Sequence, residues 1–151
     1  MYVYRLCKAS FKALDGEGAR INGGRWNSPG RAVVYTSTTL SLAVLELLIH
    51  VDPAQIPVDL VALTIEVPDA VPIQALDTST LPAGWDAVVG APECRAMGDA
   101  WIALGSPAAL RVPAAPIPEE FNVLLNPLHT DARRIAIISE RPFTYDPRLL
   151  G

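Results

Sequence analysis

Residues 23–50 read GGRWNSPGRAVVYTSTTLSLAVLELLIH, and the interpretation of the rest of the chain depends on this stretch. It opens with a glycine-rich bend that carries Arg25, Trp26 and Arg31, and it closes with a very apolar segment containing one acid, Glu46. A buried carboxylate is costly unless it is paired or hydrogen-bonded. The stretch therefore predicts a cleft in which an acid on a helix faces arginine side chains.

The stretch also predicts a strand followed by a helix. Residues 32–37 alternate as a strand does, which places Tyr35 and Ser37 on one face. A Ser/Thr-rich junction can cap a helix over 41–50, which is apolar almost all round and is therefore expected to be buried. Within that helix, Glu46 could also do no more than satisfy a nearby arginine or backbone group.

The remaining segments indicate an α+β fold. Further strands are expected at 2–7, 60–67, 109–112 and 135–139, and a second helix at 93–104. Glycine and proline predict a loop at 15–24 and an irregular excursion at 68–92. Because strands and helices do not alternate regularly and no repeat is present, residues 1–151 are predicted to form one α+β domain rather than a doubly wound sheet.

Composition excludes several classes of function. Half of the 151 residues are apolar and 19% are charged, as expected of a folded domain. The net charge of −4 does not suit direct binding to nucleic acid. No apolar run is long enough for a bilayer and no signal peptide is recognisable, so a cytoplasmic protein is expected. Two cysteines and two distant histidines give no metal-binding spacing, so no metal is expected.

Several residues could bind an anionic ligand. Arg5, in the first strand, is either a solvent-facing residue or an anion-binding group on a rigid element. Gly24 would let the backbone approach a ligand closely. Arg25 and Arg31 could hold a diphosphate through charged hydrogen bonds. Trp26 suits a core anchor and a ligand contact equally well.

Three separated blocks resemble the RES-domain family, toxins of bacterial toxin–antitoxin pairs. They are GGRWNSPGRAVVYTS at 23–37, LAVLELLIH at 42–50 and RVPAAPIPEEFNVLLNP at 111–127. The resemblance implies a fold like that of ADP-ribosyltransferases, with a mixed or split β-sheet core and flanking helices. It also implies cleavage of NAD+ at the nicotinamide–ribose bond, and an Xre-type antitoxin that covers the active site in a higher-order hetero-oligomer.

The resemblance assigns roles to individual residues. Glu46, Arg5 and Tyr35 are expected to be catalytic, and Tyr35 is expected to stack on the nicotinamide. The residues expected to contact NAD+ are Arg5, Gly24, Arg25, Trp26, Arg31, Tyr35, Ser37 and Asn122. One position departs from the family, which usually has serine where this chain has Ala114.

The chemistry of the reaction suits a single acid. Breaking the nicotinamide bond builds positive charge on the ribose, and a carboxylate stabilises that charge more in the transition state than in the ground state. Three functions follow from the resemblance. The first is an NAD+ glycohydrolase or phosphorylase that depletes NAD+ and arrests growth. The second is a mono-ADP-ribosyltransferase that modifies a protein acceptor, and the third is a catalytically weakened domain that mainly binds its antitoxin.

Overall fold

The computed structural model describes residues 1–105 and 107–151, and its centre is one seven-stranded mixed sheet. In chain order the strands are β1 (Tyr2–Lys8), β2 (Val34–Ser37), β3 (Leu60–Glu66), β4 (Ile73–Ala75), β5 (Ala109–Pro113), β6 (Phe121–Leu125) and β7 (Ala136–Pro142). Across the sheet their order is β4-β5-β6-β2-β1-β3-β7. β4 and β5 pair in parallel, whereas the other neighbours pair antiparallel. The predicted α+β class is confirmed.

The α-helices are α1 (Glu17–Asn22), α2 (Leu40–Leu48) and α3 (Pro92–Leu104). Thr39 caps α2, because its side-chain oxygen accepts a hydrogen bond from the Leu42 N–H at 3.1 Å. α3 has proline in its first turn and ends at Gly105, which adopts a φ of 69°. Both predicted helices therefore form close to their expected bounds. No helix in the described part of the chain is long and apolar enough to cross a membrane.

The sheet has two apolar faces, because side chains alternate along each strand. One face, here called the back face, packs Val3, Leu63 and neighbouring residues into a single core. The other face, here called the helical face, carries two clusters. Leu6 packs with Ala43 of α2 in the first, and Trp101 of α3 lies in the second.

Three elements were not predicted. α1 lies inside the expected loop at 15–24, and β4 lies inside the expected irregular segment at 68–92. Both are short, so neither gives a clear periodic signal. The sequence of β6 gives no strand signal, because four of its five residues are buried and it therefore lacks the polar alternation of a strand with one solvated face.

The prediction that α2 is buried all round is wrong. Only Leu42 and Ala43 are buried, and they share the side of the helix that meets the sheet. Much of the remaining helix surface borders an open apolar groove of about 560 Å³, whose lining includes Val44, Leu45, Leu48, Phe143 and Leu149. A second apolar stripe facing this groove explains why the sequence of α2 shows no polar side.

Candidate active site

Glu46 stands at the end of a hydrogen-bonded series that joins α2 to two strands. It follows Leu42 by one helical turn, so it points toward the sheet. Asn122 Nδ2 donates to Glu46 Oε1 at 2.5 Å, and Ser37 Oγ donates to Asn122 Oδ1 at 2.7 Å. Ser37 and Asn122 are buried partners in the β2–β6 ladder. Among the described residues only Asn122 hydrogen-bonds to this half-buried carboxylate, so its second oxygen can meet a ligand.

Tyr35 lies on the same face of β2 as Ser37, and its hydroxyl group holds the glycine-rich bend. The hydroxyl accepts from the Trp26 N–H at 3.0 Å and donates to Asn27 Oδ1 at 2.7 Å. Burial raises the pKa of the Tyr35 phenol above its ordinary value, so the group stays protonated and able to donate. A Cβ on Gly24 would lie 2.5 Å from the Tyr35 oxygen. Only glycine therefore fits beside this ring.

Asn27 is a structural residue of the bend that the sequence did not single out. It is fully buried, and its Nδ2 donates to the carbonyl oxygens of Ala19, Ser28 and Arg31 at 2.9, 3.2 and 3.0 Å. Its Oδ1 accepts from Tyr35. The side chain is thus committed to holding backbone. The turn-forming Ser-Pro-Gly sequence that follows it was the only local sign of this role.

Arg25 projects from this bend toward the segment before α3. Its Nη1 donates to the Trp85 carbonyl oxygen at 2.5 Å and its Nη2 to that of Ala87 at 2.8 Å. A guanidinium has five N–H donors, so these two contacts leave donors for an anionic ligand. Trp26 is only 2% exposed and packs in the apolar cluster of the helical face that contains Trp101. Its ring centroid lies 6.3 Å from that of Trp85. This placement favours the core-anchor interpretation of Trp26.

The structure separates Arg5 from the group around Glu46. Arg5 alternates with Cys7 onto the back face, where its Nη1 lies 3.5 Å from the Ala13 carbonyl oxygen. Arg31 is an exposed residue of the bend. The predicted residues that the structure brings together on the helical face are Tyr35, Ser37, Asn122 and Glu46.

Two other features of the described residues bear on chemistry. Cys7 and Cys94 are buried free cysteines. Within residues 1–105 and 107–151, no group of three or more His, Cys, Asp or Glu side chains is placed to hold a metal ion.

Comparison with known proteins identifies the family to which this α+β fold and its site around Glu46 belong. The family model described as the RES domain matches residues 2–146. The chain belongs to the RES domain family, which confirms the resemblance.

Relatives cover nearly the whole chain. A protein of Sphingobium sp. (strain YBL2) named Prs ADP-ribosylating toxin is 40% identical in an alignment 140 residues long, which covers 91% of this chain and 86% of that protein. Toxin Res of Photorhabdus laumondii subsp. laumondii is 38% identical in an alignment 153 residues long, which covers 99% of this chain and 97% of the relative.

The fold also has a solved counterpart. A chain in the crystal structure of the M. tuberculosis MbcT–MbcA toxin–antitoxin complex superposes with a TM-score of 0.79 at 24% identity. The match covers 99% of this chain and 86% of that one. At this identity the likeness establishes the fold.

Proposed function

We propose that this chain is the toxin of a bacterial toxin–antitoxin pair and that it cleaves NAD+ at the nicotinamide–ribose bond. Relatives that are 40% and 38% identical over most of their length are named as toxins, one of them as ADP-ribosylating. The observation that carries the proposal is the placement of Glu46, which is oriented by one buried amide and keeps an oxygen available on the face that also holds Tyr35.

In this proposal Glu46 stabilises the developing ribosyl cation. The bond from ribose C1′ to the nicotinamide nitrogen breaks, and its electron pair leaves with nicotinamide, which becomes neutral and needs no general acid. Water, phosphate or a protein nucleophile then bonds to C1′ and releases its proton. A fixed carboxylate lowers the barrier because it interacts more strongly with the cationic transition state than with the ground state.

Asn122 and Ser37 position that carboxylate. Ser37 Oγ donates a hydrogen bond to Asn122 Oδ1. This contact fixes the orientation of the Asn122 amide, whose N–H group then donates to Glu46. Because the amide is neutral, it fixes the carboxylate without cancelling its charge. We further propose that Ser37 and Asn122 contact the ribose directly.

The bend would hold the rest of the dinucleotide. Arg25 has donors left for the diphosphate, and exposed Arg31 can supplement them. Gly24 remains a predicted NAD+ contact, although the space beside its Cα is occupied by Tyr35. The Tyr35 ring would stack on nicotinamide. Arg5 remains a predicted NAD+ contact, which its place on the back face does not favour.

Nicotinamide release tests the proposal directly. The purified chain, incubated with NAD+ and no other protein, is expected to release nicotinamide, and a Glu46→Gln variant is the control. Absence of release by the unaltered chain in the presence of either water or phosphate would count against the glycohydrolase and phosphorylase forms.

Transfer of ADP-ribose to a protein is the second candidate, and the name of the relative that is 40% identical favours it. Labelled NAD+ added with the chain to a cell lysate should then mark one discrete protein. A third candidate is a weakened domain that mainly binds its antitoxin. Such a domain would neither release nicotinamide nor label a protein. Buried Ala114, where the family usually has serine, is the observation that favours this candidate.

The proposal includes a partner. An Xre-type antitoxin would cover the site around Glu46 in a higher-order hetero-oligomer, and the structurally similar MbcT chain comes from a toxin–antitoxin complex. Co-purification with the product of an adjacent helix-turn-helix gene, with loss of nicotinamide release in the complex, would support this arrangement. A complex that keeps full activity would contradict it.

A further inference from the structure

α3 contacts the glycine-rich bend near both ends of the bend, at Gly24 and at Ser28. Arg95 Nε donates to the Gly24 carbonyl oxygen at 3.0 Å, and Asp99 Oδ1 accepts from the Ser28 N–H at 3.0 Å. These two helix residues lie one turn apart, so they present both groups on the same side of α3. A side chain that accepts from one end of a segment and another that donates to the other end fix its direction as well as its position.

Between these contacts the helix and the bend are in direct backbone contact. A Cβ on Gly98 would overlap the Trp26 carbonyl oxygen, so glycine is what allows α3 to approach this closely. On the sheet side, the Trp26 N–H is held by the Tyr35 hydroxyl. The peptide groups that flank Arg25 are therefore restrained from the sheet and from the helix together.

We propose that Asp99 and Arg95 are positioning residues for Arg25, setting the backbone from which its guanidinium meets the diphosphate of NAD+. The inference rests on the proposed function. Paired hydrogen bonds to a phosphate depend on the direction of the guanidinium, and a small misplacement of a binding group is costly. Arg95 is exposed and Asp99 half-buried, so the loss of either contact should weaken NAD+ binding more than it disturbs the core.

The affinity of the full-length chain for NAD+ tests this role, measured by calorimetry in a Glu46→Gln background that does not consume the ligand. We expect Asp99→Ala to raise the Kd about tenfold. Asp99→Asn keeps an oxygen that can accept from the Ser28 N–H and should restore most of the affinity. Glu93→Ala removes another acid from the same helix, on an exposed position, and should leave the Kd unchanged.

A double-mutant cycle separates positioning from general loosening. If Asp99 acts through Arg25, adding Asp99→Ala to Arg25→Ala should not raise the Kd further, because the two changes remove the same contact. Additive losses would overturn the inference, and so would an unchanged Kd in Asp99→Ala. If Asp99→Ala fails to fold, Arg95→Ala takes its place in the cycle. If the parent chain does not bind NAD+ at all, the proposed function falls and this inference with it.

Discussion

The two ends of the site on the helical face hold their polar groups in opposite ways. At the Glu46 end, a half-buried carboxylate receives one hydrogen bond from Asn122 among the described residues. At the bend, Asn27 is fully buried and engages three carbonyl oxygens and the Tyr35 hydroxyl. The first arrangement leaves capacity for a ligand, whereas the second gives rigidity to the segment that carries Arg25.

This difference distinguishes groups that can act on a ligand from groups that maintain the structure. A group whose hydrogen-bonding capacity is already used inside the protein contributes through structure, because freeing it would leave a buried polar atom without a partner. A group with unused capacity can act on a ligand without that cost. Substituting Glu46 should therefore lower activity, whereas substituting the groups that hold the bend in place, such as the Tyr35 hydroxyl, should lower stability.

The largest effect is expected at Glu46. Replacing it with glutamine keeps an oxygen that can accept from Asn122 but removes the negative charge, so we expect NAD+ cleavage to fall by about 10²- to 10³-fold or more. The melting temperature and antitoxin binding should stay near those of the unaltered chain. Nicotinamide release and growth inhibition in cells measure the loss, and a fully active and toxic variant would remove Glu46 from the mechanism.

The Tyr35 hydroxyl is expected to matter mainly for stability. Tyr35→Phe keeps the ring but leaves the Trp26 N–H and Asn27 Oδ1 without this partner, so the free energy of unfolding should fall by about 1–3 kcal/mol. Chemical denaturation measures it, with Tyr2→Phe as the control because Tyr2 is 52% exposed. Loss of turnover at unchanged stability would instead show that the hydroxyl acts on the substrate.

Two arginines on opposite faces provide a smaller, matched comparison. Arg25→Gln is expected to raise the Kd for NAD+ about tenfold, because it removes a charged donor from the bend. The sequence predicts the same for Arg5→Gln, whereas the position of Arg5 on the back face predicts an unchanged Kd. Calorimetry on both variants decides, and equal losses would mean that the ligand reaches beyond the helical face.

The smallest effect is expected at Ala114. Its N–H donates to the Glu120 carbonyl oxygen, which continues the β5–β6 ladder, and alternation from Val112 places its Cβ on the face of Asn122. A serine hydroxyl there should raise the rate of NAD+ cleavage about two- to fivefold, the worth of one added hydrogen bond. Single-turnover kinetics measures the gain, and lower stability without a gain would mean that the hydroxyl finds no partner.

Much of the site's local geometry was predictable. The alternation of residues 32–37 placed Tyr35 and Ser37 together, because a strand has a side-chain period of two. The Ser/Thr-rich junction before α2 predicted a capped helix start close to the observed cap, Thr39. These predictions concern residues close together in sequence, because the regular backbone of a strand or helix fixes the relative directions of their side chains.

The sequence by itself determined the α+β class, the family and the single acid on an apolar helix, since all of these are written in local periodicity and motif. The tertiary structure alone decided that Arg5 lies on the back face, because a shift of one residue in the β1–β2 pairing would reverse every side chain of that strand. It alone also brought Asp99 and Arg95 of α3 onto a bend about seventy residues earlier in the chain. Such contacts depend on how separate elements pack, which no local pattern specifies.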